Sequence, residues 1–101
     1  MLGTNLSTSS PVYQSLCAFF DAYLVRRDLD AALAQVTEDI YSLGTGVHEE
    51  AHGRAEFAAL LQEELHSEPN PNHYQIHSYW EKEVAQGIYS CLCQIEVSAE
   101  V

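Results

Sequence analysis

Three glycines within ten residues, Gly44, Gly46 and Gly53, constrain this chain more than any other feature. They frame the run His48-Glu49-Glu50-Ala51-His52, which spells H-E-x-x-H. On a helix, two histidines at i and i+4 share one face and can hold zinc, with Glu49 polarising a bound water. Glycine opposes that reading, because each one inside a helix costs about 1 kcal/mol relative to alanine. The extended form of the motif also needs Gly and His where Ala55 and Ala58 stand. A third ligand would have to come from elsewhere, and 101 residues leave little protein to build a substrate cleft. The segment therefore reads as a strand over 40–43, a glycine turn, a short second strand, and a helix that starts after Gly53. No metal centre and no cofactor are expected.

The elements around this segment follow from capping and periodicity. Ser10-Pro11 gives a helix start, with Ser10 as N-cap and Pro11 at the first helical position. Val12, Leu16, Phe19, Phe20, Tyr23 and Leu24 draw one helical stripe. The helix should end near Arg26 or Arg27, whose cations suit the negative end of the dipole. Asp28 caps a second, shorter helix striped by Leu29, Ala32, Leu33 and Val36. A third helix, about 54–66, carries Phe57, Leu61 and Leu65 at a spacing of four. The run 67–72, with two prolines and two asparagines, is a loop.

Two alternating patterns close the chain. In the first, Tyr74, Ile76, Ser78 and Trp80 face one way, and Gln75, His77, Tyr79 and Glu81 the other. Residues 85–87 can turn the chain. In the second, Tyr89, Cys91, Cys93, Ile95 and Val97 share a face. The pair reads as a half-buried antiparallel hairpin. Cys91 and Cys93 would have Cα atoms about 6.6 Å apart along one strand, a poor disulfide geometry, so they read as buried small hydrophobes. Helices gathered early and an antiparallel sheet later define an α+β domain with helices on one face of a curved sheet.

Composition bounds the partners. Fifteen acidic residues against four basic ones give a net charge of -11. So acidic a surface repels nucleic acid and anionic lipid. No apolar run approaches the ~20 residues of a membrane span, and the uncharged start lacks the parts of a signal peptide. Cys17, Cys91 and Cys93 fit a reducing compartment rather than a disulfide framework. The expectation is a cytoplasmic protein without nucleic-acid or membrane partners. Residues 1–9 read as a flexible lead, and 10–101 as a single domain.

The long first helix with its aromatic cluster Phe19, Phe20 and Tyr23, the short acidic second helix, and the segment Gly44-Thr45-Gly46, Glu49 or Glu50, Gly53-Arg54 resemble the SnoaL-like, or nuclear-transport-factor-two-like, superfamily with its cystatin-like fold. The Gly44 to Arg54 segment is similar to one in SnoaL-like domains of bacterial signalling proteins, including diguanylate cyclases and histidine kinases. The resemblance covers most of residues 11–98. It implies a cone of about three helices packed on a curved antiparallel sheet. Members usually continue with two further strands, and this chain stops at Val101. A sheet lacking those strands has an open edge, which templates pairing with another chain. The last strand, near 88–97, is therefore expected to pair with a second copy in a homodimer through the sheet.

The resemblance also implies a pocket inside the cone. Phe20, Tyr23, Tyr41, Trp80 and Tyr89 are the candidate walls, with His77 or Tyr79 as polar members. Such a pocket suits a small hydrophobic molecule, unless the aromatics fill it themselves. Enzymes of the superfamily, such as ketosteroid isomerases and polyketide cyclases, work with an Asp or His inside the cone, where burial raises a carboxyl pKa. The matching candidates are Asp21, Asp39 and His77, none in a motif that fits those enzymes residue by residue. The reading is a non-catalytic small-molecule-binding or dimerisation module, the N-terminal part of a signalling protein. Its alternative is a small acid/base enzyme acting on a hydrophobic carbonyl compound.

Overall fold

The structure, a computed structural model, describes residues 10–44, 46 and 49–99. The expected lead over 1–9, and His48 of the H-E-x-x-H motif, lie outside the described residues. Helix α1, Pro11–Phe20, begins as its sequence requires: the Ser10 backbone is extended (φ -68°, ψ 132°) and its Oγ accepts from the Tyr13 amide. The helix does not stop at Phe20. It widens into a π-helical stretch, Asp21–Val25, in which the Arg26 amide donates to the Asp21 carbonyl five residues back, at 2.9 Å. The wider turn slips the side-chain phase, and the adjacent Ala22 and Tyr23 are both buried. Arg27, with φ 55°, turns the chain out of the helix. Asp28 then caps α2, Leu29–Leu33, its Oδ1 accepting from the Ala31 amide at 3.1 Å.

The glycine-rich segment is extended and doubles back. Strands β1 (Tyr41–Leu43) and β2 (Glu50–His52) pair antiparallel, with Tyr41 opposite His52. His52 thus lies on a strand, not on a helix. Two glycines are needed here for different reasons. At Gly44, a Cβ would stand 2.5 Å from Glu49 Oε2 and 2.6 Å from Glu49 Cβ, so no larger residue fits while Glu49 folds back. Gly53 adopts φ 91°, ψ 163°, a region open essentially to glycine alone. Its amide donates to the Ile40 carbonyl at 2.7 Å, and the Arg54 amide donates to the Glu38 carbonyl at 2.9 Å. These bonds tie the start of α3, Arg54–Ser67, to the entrance of β1.

The helices build the main core. Ala22, Tyr23, Ala32 and Leu61 form its buried centre, with Phe19 and Phe57 packed against it. The Phe19 and Phe57 rings stack at 6.1 Å. This cluster draws on the stripes expected for all three helices, but Val12, Leu16 and Phe20 of the first and Val36 of the second lie outside it.

Strands β3 (Asn72–Ala85) and β4 (Ile88–Ala99) form the long antiparallel hairpin, turned at Gln86 and Gly87, where Gly87 has φ 74°. Strict alternation places Trp80 with Tyr74 and Ile76 on the inner face. The structure corrects this. Ile76 pairs with Ile95 but Ser78 pairs with Gln94, so His77 is an extra residue that bulges from the strand. One extra residue exchanges the two faces downstream. Tyr79 becomes fully buried and Trp80 turns out to 37% exposure. Val84 is a second irregularity of the same kind.

The architecture is mixed helix and sheet, an α+β arrangement with two antiparallel sheets. The single curved sheet expected from sequence is not what the described residues form: β1–β2 and β3–β4 are separate pairs, because α3 intervenes and no described strand bridges them. Among the described residues, no helix is long and apolar enough to cross a membrane.

Candidate functional site

A cleft of about 610 Å³ opens between the π-helical stretch and the C-terminal half of α3. Tyr23, Leu24 and Arg27 form one wall, and Leu60, Glu63 and Glu64 the other. Glu49 closes one end from the β1–β2 turn, and Glu68 sits where α3 ends. The glycine-rich turn explains Glu49's place: its Oε2 accepts from the Gly46 amide at 2.8 Å.

The wall is rigid where Tyr23 and Arg27 meet. The Tyr23 hydroxyl donates to Glu64 Oε2, bridging the π-helical stretch to α3. Burial pushes the Tyr23 phenol well above its ordinary 10, the adjacent Glu64 carboxylate adds to the rise, and Arg27 partly opposes it. The phenol stays a proton donor across the physiological range. Arg27 Nη1 donates to the Tyr23 carbonyl at 3.0 Å, and Nη2 to the Glu68 carbonyl. The guanidinium lies 5.2 Å from the Tyr23 ring centroid, within cation–π range. Its Nε is buried without a partner.

A second, apolar groove of about 330 Å³ runs along the other side of α1, between Leu16, Phe19, Val36, Ile40, Phe57 and Cys91. No candidate wall residue from the sequence lines it.

Of those candidates, only Tyr23 reaches the main cleft. Phe20 is half-buried against Tyr74, with ring centroids 5.4 Å apart, between α1 and β3. Tyr41 is 55% exposed on β1, against His52. Tyr89 is 46% exposed on β4. Trp80 faces outward because of the bulge, and so does His77, whose Nε2 lies 2.9 Å from Glu96 Oε1. Tyr79 does point inward, but it is packed edge-on against Tyr13 at 4.9 Å and fills its own space.

The acid/base candidates are not brought together. Asp21 is half-buried on the π-helical stretch, its Oδ1 accepting from the Tyr74 hydroxyl at 2.6 Å. Asp39 is exposed in the turn before β1. His77 is on the far face of the hairpin. The pairing of a tyrosine with a carboxylate recurs at Tyr79, which donates to Glu81 Oε1 at 2.8 Å; the same oxygen accepts from Ser10 Oγ at 2.5 Å.

Sequence reasoning missed Arg27, Leu60, Glu63, Glu64 and Glu68. Arg27 reads locally as a dipole-facing cation and the glutamates as a solvated helix face. The available signal was the acidic charge crowded at the C-terminal end of α3, the end that disfavours it.

No family model, curated protein or solved structure matches this chain.

Proposed function

We propose that this chain is a non-catalytic small-molecule-binding and dimerisation module of the SnoaL-like kind, the N-terminal part of a cytoplasmic bacterial signalling protein of the diguanylate cyclase or kinase type. The observation that carries the binding role is the open cleft beside Tyr23, whose ring and hydroxyl are held in place by Arg27 and Glu64. A site with few moving parts and an aromatic wall loses little freedom when a ligand enters. The order of elements supports the family likeness, and a cystatin-like cone is the form the fold would take if further strands joined its two sheets. The same open sheet edges support self-association through β4.

Ligand-observed NMR with a library of small apolar molecules tests the binding role. Binders of the wild-type protein should lose affinity in Leu60→Trp, which fills the cleft, while circular dichroism confirms that the variant folds. Binders that ignore the substitution would place the site elsewhere. For self-association, light scattering at high concentration should give a dimer mass, and a monodisperse monomer would refute it.

One observation favours the acid/base alternative: the Tyr23–Glu64 pair faces an open cleft, as a proton donor beside a carboxylate. An enolisation assay on hydrophobic ketones decides it, since turnover that vanishes in Glu64→Gln would displace the non-catalytic reading.

A further inference from the structure

We propose that the cleft selects an organic cation, an ammonium group carried on an apolar body. This rests on the binding reading above and names the class of ligand for that site.

The cleft itself supplies the apolar part: the Tyr23 ring, Leu24 and Leu60. Its charge is one-sided. Glu49, Glu63, Glu64 and Glu68 line it against Arg27 alone, a net of -3. Two of these carboxylates are anchored, Glu49 on the Gly46 amide and Glu64 on the Tyr23 hydroxyl. Among the described residues, the ion pairs formed involve neither Glu63 nor Glu68.

Arg27 does not neutralise this set. Its two terminal nitrogens are committed to the Tyr23 and Glu68 main-chain carbonyls, and its face lies over the Tyr23 ring. It stiffens the wall without pairing with a carboxylate.

Folding accounts for Glu64, whose carboxylate takes the Tyr23 hydroxyl, but gives no reason for the charge of Glu63 and Glu68 beside it. Glu64 stands in the last turn of α3 and Glu68 at its cap, with Glu63 just before them, all toward the negative end of the helix dipole. Glu64 and Glu68 are also a like-charge pair at i and i+4, which weakens a helix. Residues that break a local rule without a structural return mark a function. A cation in the cleft removes both penalties at once. The net charge of -11 adds a long-range field that draws cations in and turns anions away.

Three probes with the same apolar body separate the outcomes: 4-phenylbutylamine, 4-phenylbutanol and 4-phenylbutyrate, titrated into the full chain by calorimetry and NMR at low salt. The amine should bind at least ~10-fold tighter than the carboxylate, with the alcohol between them, and added salt should narrow the gap. In Glu63→Gln/Glu68→Gln the preference for the amine should collapse, while the melting temperature of the free protein stays level or rises. Equal binding of all three probes, or a preference for the carboxylate, overturns the charge selection and leaves the binding site standing. An amine preference unchanged in the double variant overturns the assignment to these residues. No binding of any probe at ~10 mM overturns this inference, and loss of the library binders as well would remove the site itself.

Discussion

Replacing Tyr79 and Trp80 one at a time tests the feature on which the hairpin's inner face depends. Strict alternation buries Trp80 and exposes Tyr79; the bulge at His77 does the reverse. Tyr79 has no exposed surface, packs edge-on against Tyr13, and donates to Glu81 at 2.8 Å. Truncating a fully buried aromatic to alanine costs about 3–5 kcal/mol. A chain of 101 residues has a total stability of about 5–15 kcal/mol, so Tyr79→Ala should remove a large share of it. Tyr79→Phe keeps the ring and deletes only the bond to a charged acceptor, for about 1.5–3 kcal/mol. Trp80, paired across the strands with Leu92 on the outer face, should lose only about 1–2 kcal/mol as Trp80→Ala. Urea unfolding followed by circular dichroism gives all three values. Deleting His77 should cost less than Tyr79→Ala, because removing the extra residue restores strict alternation with Tyr79 still inside, opposite Cys93, and Trp80 still outside, opposite Leu92. A Trp80→Ala variant less stable than Tyr79→Ala, or a deletion that costs as much as Tyr79→Ala, would refute the bulged register.

Gly53→Ala should cost about 1–3 kcal/mol in the same assay, from backbone strain rather than a clash, since the new Cβ would meet only the Glu38 carbonyl at 3.5 Å. Ser10→Ala should lose about 1–2 kcal/mol, because it removes both the cap on Tyr13 and one of the two donors to Glu81; stability equal to wild type would show that the contact carries nothing. Above pH 10 the protein should unfold progressively. Burial first, then the paired carboxylate, raises the phenols of Tyr23, Tyr74 and Tyr79 above their ordinary 10. The folded state then keeps protons that the unfolded chain gives up. The stability these groups confer is whole below pH 10 and falls above it, by up to ~1.4 kcal/mol per pH unit for each tyrosine. Absorbance at the phenolate band should show three tyrosines ionising only with unfolding, and a simple titration near 10 in the native state would contradict their burial.

The parts of the fold legible in the sequence are those encoded by neighbours. Ser10 and Asp28 cap the helices they precede, because capping needs only a short polar side chain and the amide three residues on. Gly44 and Gly53 announce a doubled-back strand pair because no other residue occupies those positions cheaply. The bulge was not legible. A residue inserted into a strand leaves the local composition unchanged, and His77 carries no glycine signature to mark it. The π-helical stretch was hidden for the same reason, since it moves the phase without changing the stripe. Of the candidate walls only Tyr23 was found, because the cleft depends on Tyr23 meeting Glu64, and Arg27 meeting Glu68, about forty residues downstream. Nothing in either segment alone points to the other.

The three tyrosine–carboxylate bonds show how so small a core holds its layers in register. Tyr23 to Glu64 joins the π-helical stretch to α3, Tyr74 to Asp21 joins β3 back to that stretch, and Tyr79 with Ser10 on Glu81 fixes the start of α1 to the hairpin. Apolar contacts are non-directional and tolerate sliding, whereas a charged acceptor holds a phenol hydroxyl at one place. Asp21, the leading acid/base candidate by sequence, belongs to this set. Its bond to Tyr74 places it between two structural elements and away from the cleft, so Asp21→Asn should lower stability and leave amine binding intact. Weakened binding at unchanged stability would instead make Asp21 part of the site.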